Sequence, residues 1–246
     1  MSLRVFGASV RGPDHEREDT SCQDAWAFVQ TGERAAALCL CDGAGSATHA
    51  EIGAQTVVAA VVDALREFAP ESPAALVDAL CDACAHGRAV LLREAATRAL
   101  TPADMACTLV AVLAWGSHVA VAHIGDGAVI GRMRASGELT VLSAPERGEF
   151  ANETWFISSA SWRERMRVGL HEGLDVVCAL TDGCQSAAMQ AGLTAFAPFC
   201  GPLFDFATEI TDAAFGCTEV AKLLDAEPLR RSSGDDKTLA VAVLSA

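Results

Sequence analysis

The stretch Ala35–Gln55, AAALCLCDGAGSATHAEIGAQ, holds an apolar run that stops at Asp42-Gly43 and passes through a loop of small residues into a helical pattern. Asp-Gly is a hairpin dipeptide, and a hairpin needs a second strand directly after the turn. None follows, because the next segment has a helical period. The chain repeats the device in VVCALTDGCQSAAMQ, where Val176–Thr181 is apolar, Asp182-Gly183 ends it and again no strand follows. A carboxylate therefore stands at the exit of two strands whose unbroken apolar character marks them as buried.

Working outward, VFGASVRG and AWAFVQTGERAAALCLCDG read as short strands with turns at Gly12-Pro13 and Thr31-Gly32. Between His49 and Phe68, apolar residues at Ile52, Val57, Val61, Leu65 and Phe68 recur at helical spacing, and Pro70 and Pro73 break the run. A second helix is expected from about Ala74 to about Arg98. The period then changes. CTLVAVLAW, HVAVAHIGD, AVIGRMR and ELTVLS are strand-like and separated by short turns, which makes successive strands antiparallel neighbours. SAPERGEFANETWFISSASWRERMR is polar and irregular and reads as an inserted flap at about 143–167. DVVCALTDG is a further strand, SAAMQAGLTAFAPFC and the Phe204–Leu224 region read as helical, and KTLAVAVLSA closes the pattern as a strand. Without steady βαβ alternation a doubly wound parallel sheet is disfavoured, and an α+β arrangement of antiparallel sheets covered by helices fits better. No repeat or linker divides the chain, so residues 1–246 are expected to form a single domain.

A hydrophobic fraction of 51% in 246 residues excludes disorder, and no apolar stretch has the length of a membrane span. The net charge of −14 argues against nucleic acid or an anionic membrane as a partner. The ten cysteines are scattered through apolar runs, as buried, reduced thiols of a cytoplasmic protein would be. Cys81-x-x-Cys84 lacks the second pair a zinc site would want, and its spacing puts both on one helix face, where core packing explains them.

Five aspartates, Asp24, Asp42, Asp126, Asp182 and Asp235, end or flank strands. Each taken alone is a turn or capping residue. If their junctions share one end of the sheets the carboxylates converge, repel and raise one another's pKa values, a cost that divalent cations remove. An all-oxygen donor set suits Mg²⁺ or Mn²⁺ rather than zinc.

In this order and spacing, CDGAGSATHAEIGAQ, HIGDGAVI, ALTDGCQ and GDDKTLAVAV, with SCQDAW before them, resemble the metal-dependent Ser/Thr protein phosphatases of type 2C. GEFANET is similar to a bacterial branch of that family. The resemblance, from about Gly7 to Leu244, implies a four-layer α-β-β-α sandwich with two antiparallel sheets face to face and helices outside. It implies two Mn²⁺ or Mg²⁺ ions bridged by Asp42, the Gly43 carbonyl joining one and Asp182 and Asp235 holding the other. Asp24 matches the second acid of the family's N-terminal pair, which orients metal-bound water, and Asp126 matches a ligand of a third metal. The implied reaction is in-line attack of a metal-activated water on phosphoserine or phosphothreonine in a phosphorylated protein, with a Ser/Thr kinase or its target as partner.

Several positions depart from the family pattern. Gln23 stands where the first acid of the N-terminal pair belongs, and Ala44 where animal members carry a general-acid histidine; His49 is the nearby alternative. The phosphate-gripping arginine is replaced by Asp19, leaving Arg17 as the nearest candidate for that catalytic contact, and Ser186 replaces the second acid of the third metal site. These departures leave two other readings open, a non-catalytic phosphoprotein-binding regulatory module on the same fold and a small phosphate-ester hydrolase.

Overall fold

The computed structural model describes residues 3–146, 154–191 and 193–244. The GEFANET stretch therefore lies outside the described residues except for Thr154, as does Gly192. The first half of the chain runs β1 (Arg4–Val10), α1 (Pro13–Glu18), β2 (Ala25–Gln30), β3 (Ala35–Cys41), α2 (Ala50–Ala64), α3 (Pro73–Thr97), β4 (Leu109–Trp115), β5 (His118–Ile124), β6 (Ala128–Met133) and β7 (Leu139–Ser143). The second half runs α4 (Trp162–Arg165), β8 (Arg167–His171), β9 (Leu174–Leu180), α5 (Gln185–Ala188), β10 (Met189–Gln190), β11 (Thr194–Ala195), α6 (Ala197–Glu209), α7 (Ala213–Leu224), α8 (Glu227–Ser232) and β12 (Lys237–Val243).

Two five-stranded antiparallel sheets result, ordered β1-β12-β9-β6-β7 and β2-β3-β4-β5-β8. Alternation along each strand assigns its side chains to opposite layers. On β3, Ala36, Leu38 and Leu40 face the other sheet, while Ala37, Cys39 and Cys41 face α2 and α3. On β12, Ala240 and Ala242 point between the sheets, and Leu239, Val241 and Val243 join the layer under α6 and α7. Both faces of these strands are buried, so they read as unbroken apolar runs rather than alternating ones. The result is the four-layer α+β sandwich.

Some sequence expectations change. Gly12-Pro13 is not merely a turn: Pro13 opens α1, a first-turn position its fixed φ favours, and Asp19 in the left-handed region (φ 54°) ends it. The helical reading of SAAMQAGLTAFAPFC fails at Ala188, because Met189–Gln190 pairs with Thr194–Ala195 around a turn with Leu193 at φ 57°. Pro198 then sits in the first turn of α6, where it breaks nothing. The flap is less detached than its composition suggests. Ile157 and Trp162 belong to the core beneath α3, and Arg88 of α3 donates to the carbonyls of Ile157 (3.1 Å) and Ser159 (3.2 Å). Arg167, expected as the last flap residue, instead begins β8, which extends the second sheet beyond β5.

Of the ten cysteines, all free, seven are buried and only Cys22, Cys81 and Cys217 are partly exposed. Of the Cys81–Cys84 pair, Cys84 lies in the core as expected, whereas Cys81 is partly exposed and outside it.

Leu40 is fully buried between the sheets two residues before Asp42, whereas Leu170 on the edge strand β8 is 44% exposed. Leu40→Ala is expected to cost about 2–5 kcal/mol in chemical denaturation, through lost burial and a cavity that rigid strands cannot collapse. Leu170→Ala should stay within about 0.5 kcal/mol of the unsubstituted protein in the same measurement.

Candidate metal centre

β3 delivers Asp42 to the sheet end, and neighbouring strands pin its backbone. The Asp42 amide donates to Thr108 Oγ1 at 3.0 Å, and the Thr108 amide returns a bond to the Asp42 carbonyl at 2.8 Å. A Cβ on Gly43 would lie 2.7 Å from the Gln23 carbonyl oxygen and 2.8 Å from Ala50 Cβ, so glycine there lets the loop and the start of α2 close together. At the second Asp-Gly, a Cβ on Gly183 would lie 1.9 Å from the Asp236 carbonyl oxygen. That contact brings the Asp182 turn against the loop carrying Asp235. Neither dipeptide makes a hairpin; both permit close approach of backbones.

The outcome is convergence. Asp42, Asp126 and Asp182 place carboxylate oxygens within 4.8 Å of one another. A second group, also within 4.8 Å, joins Asp235 to His15 and Asp236. Both border a cleft of about 690 Å³ whose lining includes Gln23, Gly43, Thr154 and Phe156. Asp24 lies behind this wall, 6% exposed, and accepts the Thr181 hydroxyl at 2.8 Å. Burial pushes its carboxyl up to about 8, against the hydrogen bonds from Thr238 and Thr181 and with help from Asp236 and Asp235. Burial, then the charge of Asp24, then those of Asp182, Asp235 and Asp126, hold Asp42 well above the carboxylate range. Carboxylates kept this close want a counter-charge. The three converging donors are all oxygens, and the buried Gln23 Oε1 beside them meets no donor among the described residues, so the residues fit a hard divalent cation.

Arg17 does not reach this cleft. It lies on the exposed face of α1, ion-paired with Asp14, and 73% of its side chain is exposed. The six-residue helix puts His15, two residues before Arg17, on the inner side instead. His15 Nδ1 lies 2.8 Å from Asp236 Oδ2. Among the described residues it is the one basic side chain lining the cleft. His49 bonds the neighbouring Thr48 hydroxyl and is not part of the lining.

Asp236 was not singled out from the sequence, yet it is the buried member of the Asp235-Asp236 pair. Its carboxylate accepts from the amides of Gly12 (2.7 Å) and Gln23 (2.6 Å) as well as from His15, stitching three segments under the cleft. Lys237, 1% exposed, donates to the carbonyls of Ser233 and Asp235, each at 2.8 Å, and shapes the loop that presents Asp235.

Two face-to-face antiparallel sheets with an oxygen-only acid cluster at their ends are the architecture that the sequence resemblance implies. The chain belongs to the protein phosphatase 2C family, whose model matches residues 11–225. It is 27% identical over 252 residues to serine/threonine-protein phosphatase 3 of Escherichia coli (strain K12), covering 99% of each chain. Its fold is similar to that of the serine/threonine phosphatase Stp1 from Staphylococcus aureus, with a TM-score of 0.71 at 14% identity over 100% of this chain and 96% of the other. It is also similar to the catalytic domain of the serine/threonine protein phosphatase PstP in complex with two manganese ions, with a TM-score of 0.66 at 19% identity over 100% and 99%. At those identities the structural matches speak for the fold.

The raised carboxyls set a pH dependence. A group whose folded pKa exceeds its unfolded value adds stability at low pH and loses it as pH rises to the folded pKa. For Asp24 that window runs from 3.8 to about 8. Below 6.5 the buried His123, held down to about 3 by burial and by Arg167, acts in the opposite sense. Chelator-treated protein is therefore expected to lose unfolding temperature from pH 6.5 to 8, where the acids titrate without His123. Saturating Mn²⁺ should flatten that slope in a thermal scan.

Proposed function

We propose that this chain is a metal-dependent phosphoprotein phosphatase acting on phosphoserine and phosphothreonine. The observation that carries this reading is the convergence of Asp42, Asp126 and Asp182 within 4.8 Å at the ends of buried strands in a member of the protein phosphatase 2C family. Two Mn²⁺ or Mg²⁺ ions are the cations we assign, supported by the donor chemistry and by the manganese complex of PstP. Bound there, they supply Lewis-acid stabilisation of the phosphoryl oxygens.

The chain's own residues do the rest. Asp42 would be the shared ligand, with the Gly43 carbonyl, Asp182 and Asp235 as the further donors. Asp24 sits buried behind Asp42, held by the Thr181 hydroxyl, and the Gln23 amide oxygen offers an uncharged acceptor at the position the family gives to an acid. With His15 as the one basic lining side chain described, the charge of a phosphate group is met chiefly by the cations. A non-catalytic binding module has no physical need for carboxylates that repel one another at a cost in stability, so the catalytic reading is preferred.

We take residues 1–246 as one phosphatase unit, with the segment at about 143–167 bordering the cleft through Thr154 and Phe156. A phosphorylated protein, such as a Ser/Thr kinase or its target, is the partner this implies. A cytoplasmic setting is supported by the free thiols. No helix among the described residues is long and apolar enough to cross a membrane. The net charge of −14 disfavours nucleic acid.

The test is hydrolysis of a phosphothreonine peptide and of an aryl phosphate with Mn²⁺, with Mg²⁺ and with chelator. Both activities should require the cation, and Asp42→Asn should lower them by about 10³-fold or more, since metal charge stabilisation supplies much of the barrier reduction. Near-normal turnover by Asp42→Asn would refute the reading. Activity confined to the small ester would favour a phosphate-ester hydrolase.

A further inference from the structure

Asp126 enters the cleft on the Gly125–Gly127 loop, and four donors from outside that loop hold it. Thr154 donates its hydroxyl to Asp126 Oδ2 at 2.6 Å. Gln185, three residues after Asp182, donates to the Asp126 carbonyl. The Glu146 amide and Arg167 Nη2 both donate to the Gly125 carbonyl, each at 3.1 Å. Arg167 also pairs with Glu146 (3.1 Å), donates to the Ala144 carbonyl and donates to His123 Nδ1 at 3.0 Å. Ser143 Oγ lies 2.8 Å from the same nitrogen. An imidazole that accepts at Nδ1 is neutral, so the half-buried guanidinium meets an acceptor there and not a second cation.

We infer that Thr154 is a positioning residue for Asp126, and that Arg167 supports it by fixing the loop from behind. The hydroxyl occupies one carboxylate oxygen and stops the group rotating, so the other oxygen is the one offered to a cation held with Asp42 and Asp182. Removing a group that orients a ligand in this way typically weakens metal affinity about 10–100-fold. Thr154 and Phe156 also line the cleft, so the wall a substrate touches and the ligand a cation needs are joined by one hydrogen bond. The inference rests on the metal-dependent reading above.

The experiment is calorimetric titration of Mn²⁺ into the chelator-stripped full chain, comparing the unsubstituted protein with Thr154→Val, Thr154→Ala, Thr154→Ser and Asp126→Ala. Val keeps the shape and removes the donor; Ala controls for the extra methyl; Ser keeps the hydroxyl. Thr154→Val and Thr154→Ala are expected to weaken the Asp126-dependent Mn²⁺ binding about 10–100-fold. Thr154→Ser should bind like the unsubstituted protein, and Thr154→Val should add nothing in the Asp126→Ala background. Unchanged binding in Thr154→Val, or an undiminished penalty without Asp126, would overturn the inference alone. If the unsubstituted protein takes up no Mn²⁺, the proposed function falls and this inference with it.

Discussion

Like-charge repulsion among buried and half-buried carboxylates is the constraint around which this molecule is organised. Burial, and then the charges of Asp24, Asp182, Asp235 and Asp126, all raise the Asp42 carboxyl, and in a medium of low polarity that crowding must be opposed by rigid backbone. The opposing framework is visible at every member. Asp42 is locked to Thr108 by bonds in both directions, Asp24 accepts from Thr181, and the Asp182 turn is wedged against Asp236. Strands buried on both faces cannot shift to relieve the repulsion without moving the core.

The sandwich explains why that framework is stiff. Small residues such as Ala36, Ala114, Ala179, Ala240 and Ala242 let the two sheets approach, while Leu38, Leu40 and Val112 fill the spaces between them. Helices on both outer faces then leave the sheet ends as the place where polar loops gather. Most of the cleft's acidic residues sit at strand exits or entries, so its geometry is inherited from strand register and not from any one loop.

How much of this was legible in the sequence depended on whether a residue's role left a local pattern. Asp42 and Asp182 stood out because an apolar run ended in Asp-Gly with no strand to follow, and the order of five acidic motifs extended that signal to Asp24, Asp126 and Asp235. The sheets followed from antiparallel strand runs and the lack of βαβ alternation. β8 was hidden because it is an edge strand whose larger apolar residues, Val168 and Leu170, face solvent, leaving Arg167 and His171 on the other side; its pattern is inverted. His15 and Arg17 are two residues apart in a six-residue helix, and only the direction of that helix decides which one meets the cleft. Asp236 was masked by its neighbour, since two adjacent aspartates differ here only in which of them the chain turns inward. Thr154 and Thr181 donate their hydroxyls to the distant carboxylates of Asp126 and Asp24, the Thr108 hydroxyl accepts from the Asp42 amide, and no spacing in the sequence records such pairings.

The distribution of thiols bears on the history of a molecule rather than on its chemistry. While folded, it offers solvent three partly exposed cysteines; once opened, it offers ten. Burial also holds the thiols of Cys41, Cys84 and Cys178 well above their ordinary pKa, so in the native state they are neither accessible nor nucleophilic. Each excursion to the open state in an oxidising solution thus risks a covalent link that the native packing has no room for, which turns a reversible equilibrium into a one-way loss. Shelf life in air is then governed by how often the sandwich opens, and mispaired disulfides accumulate as a count of those openings.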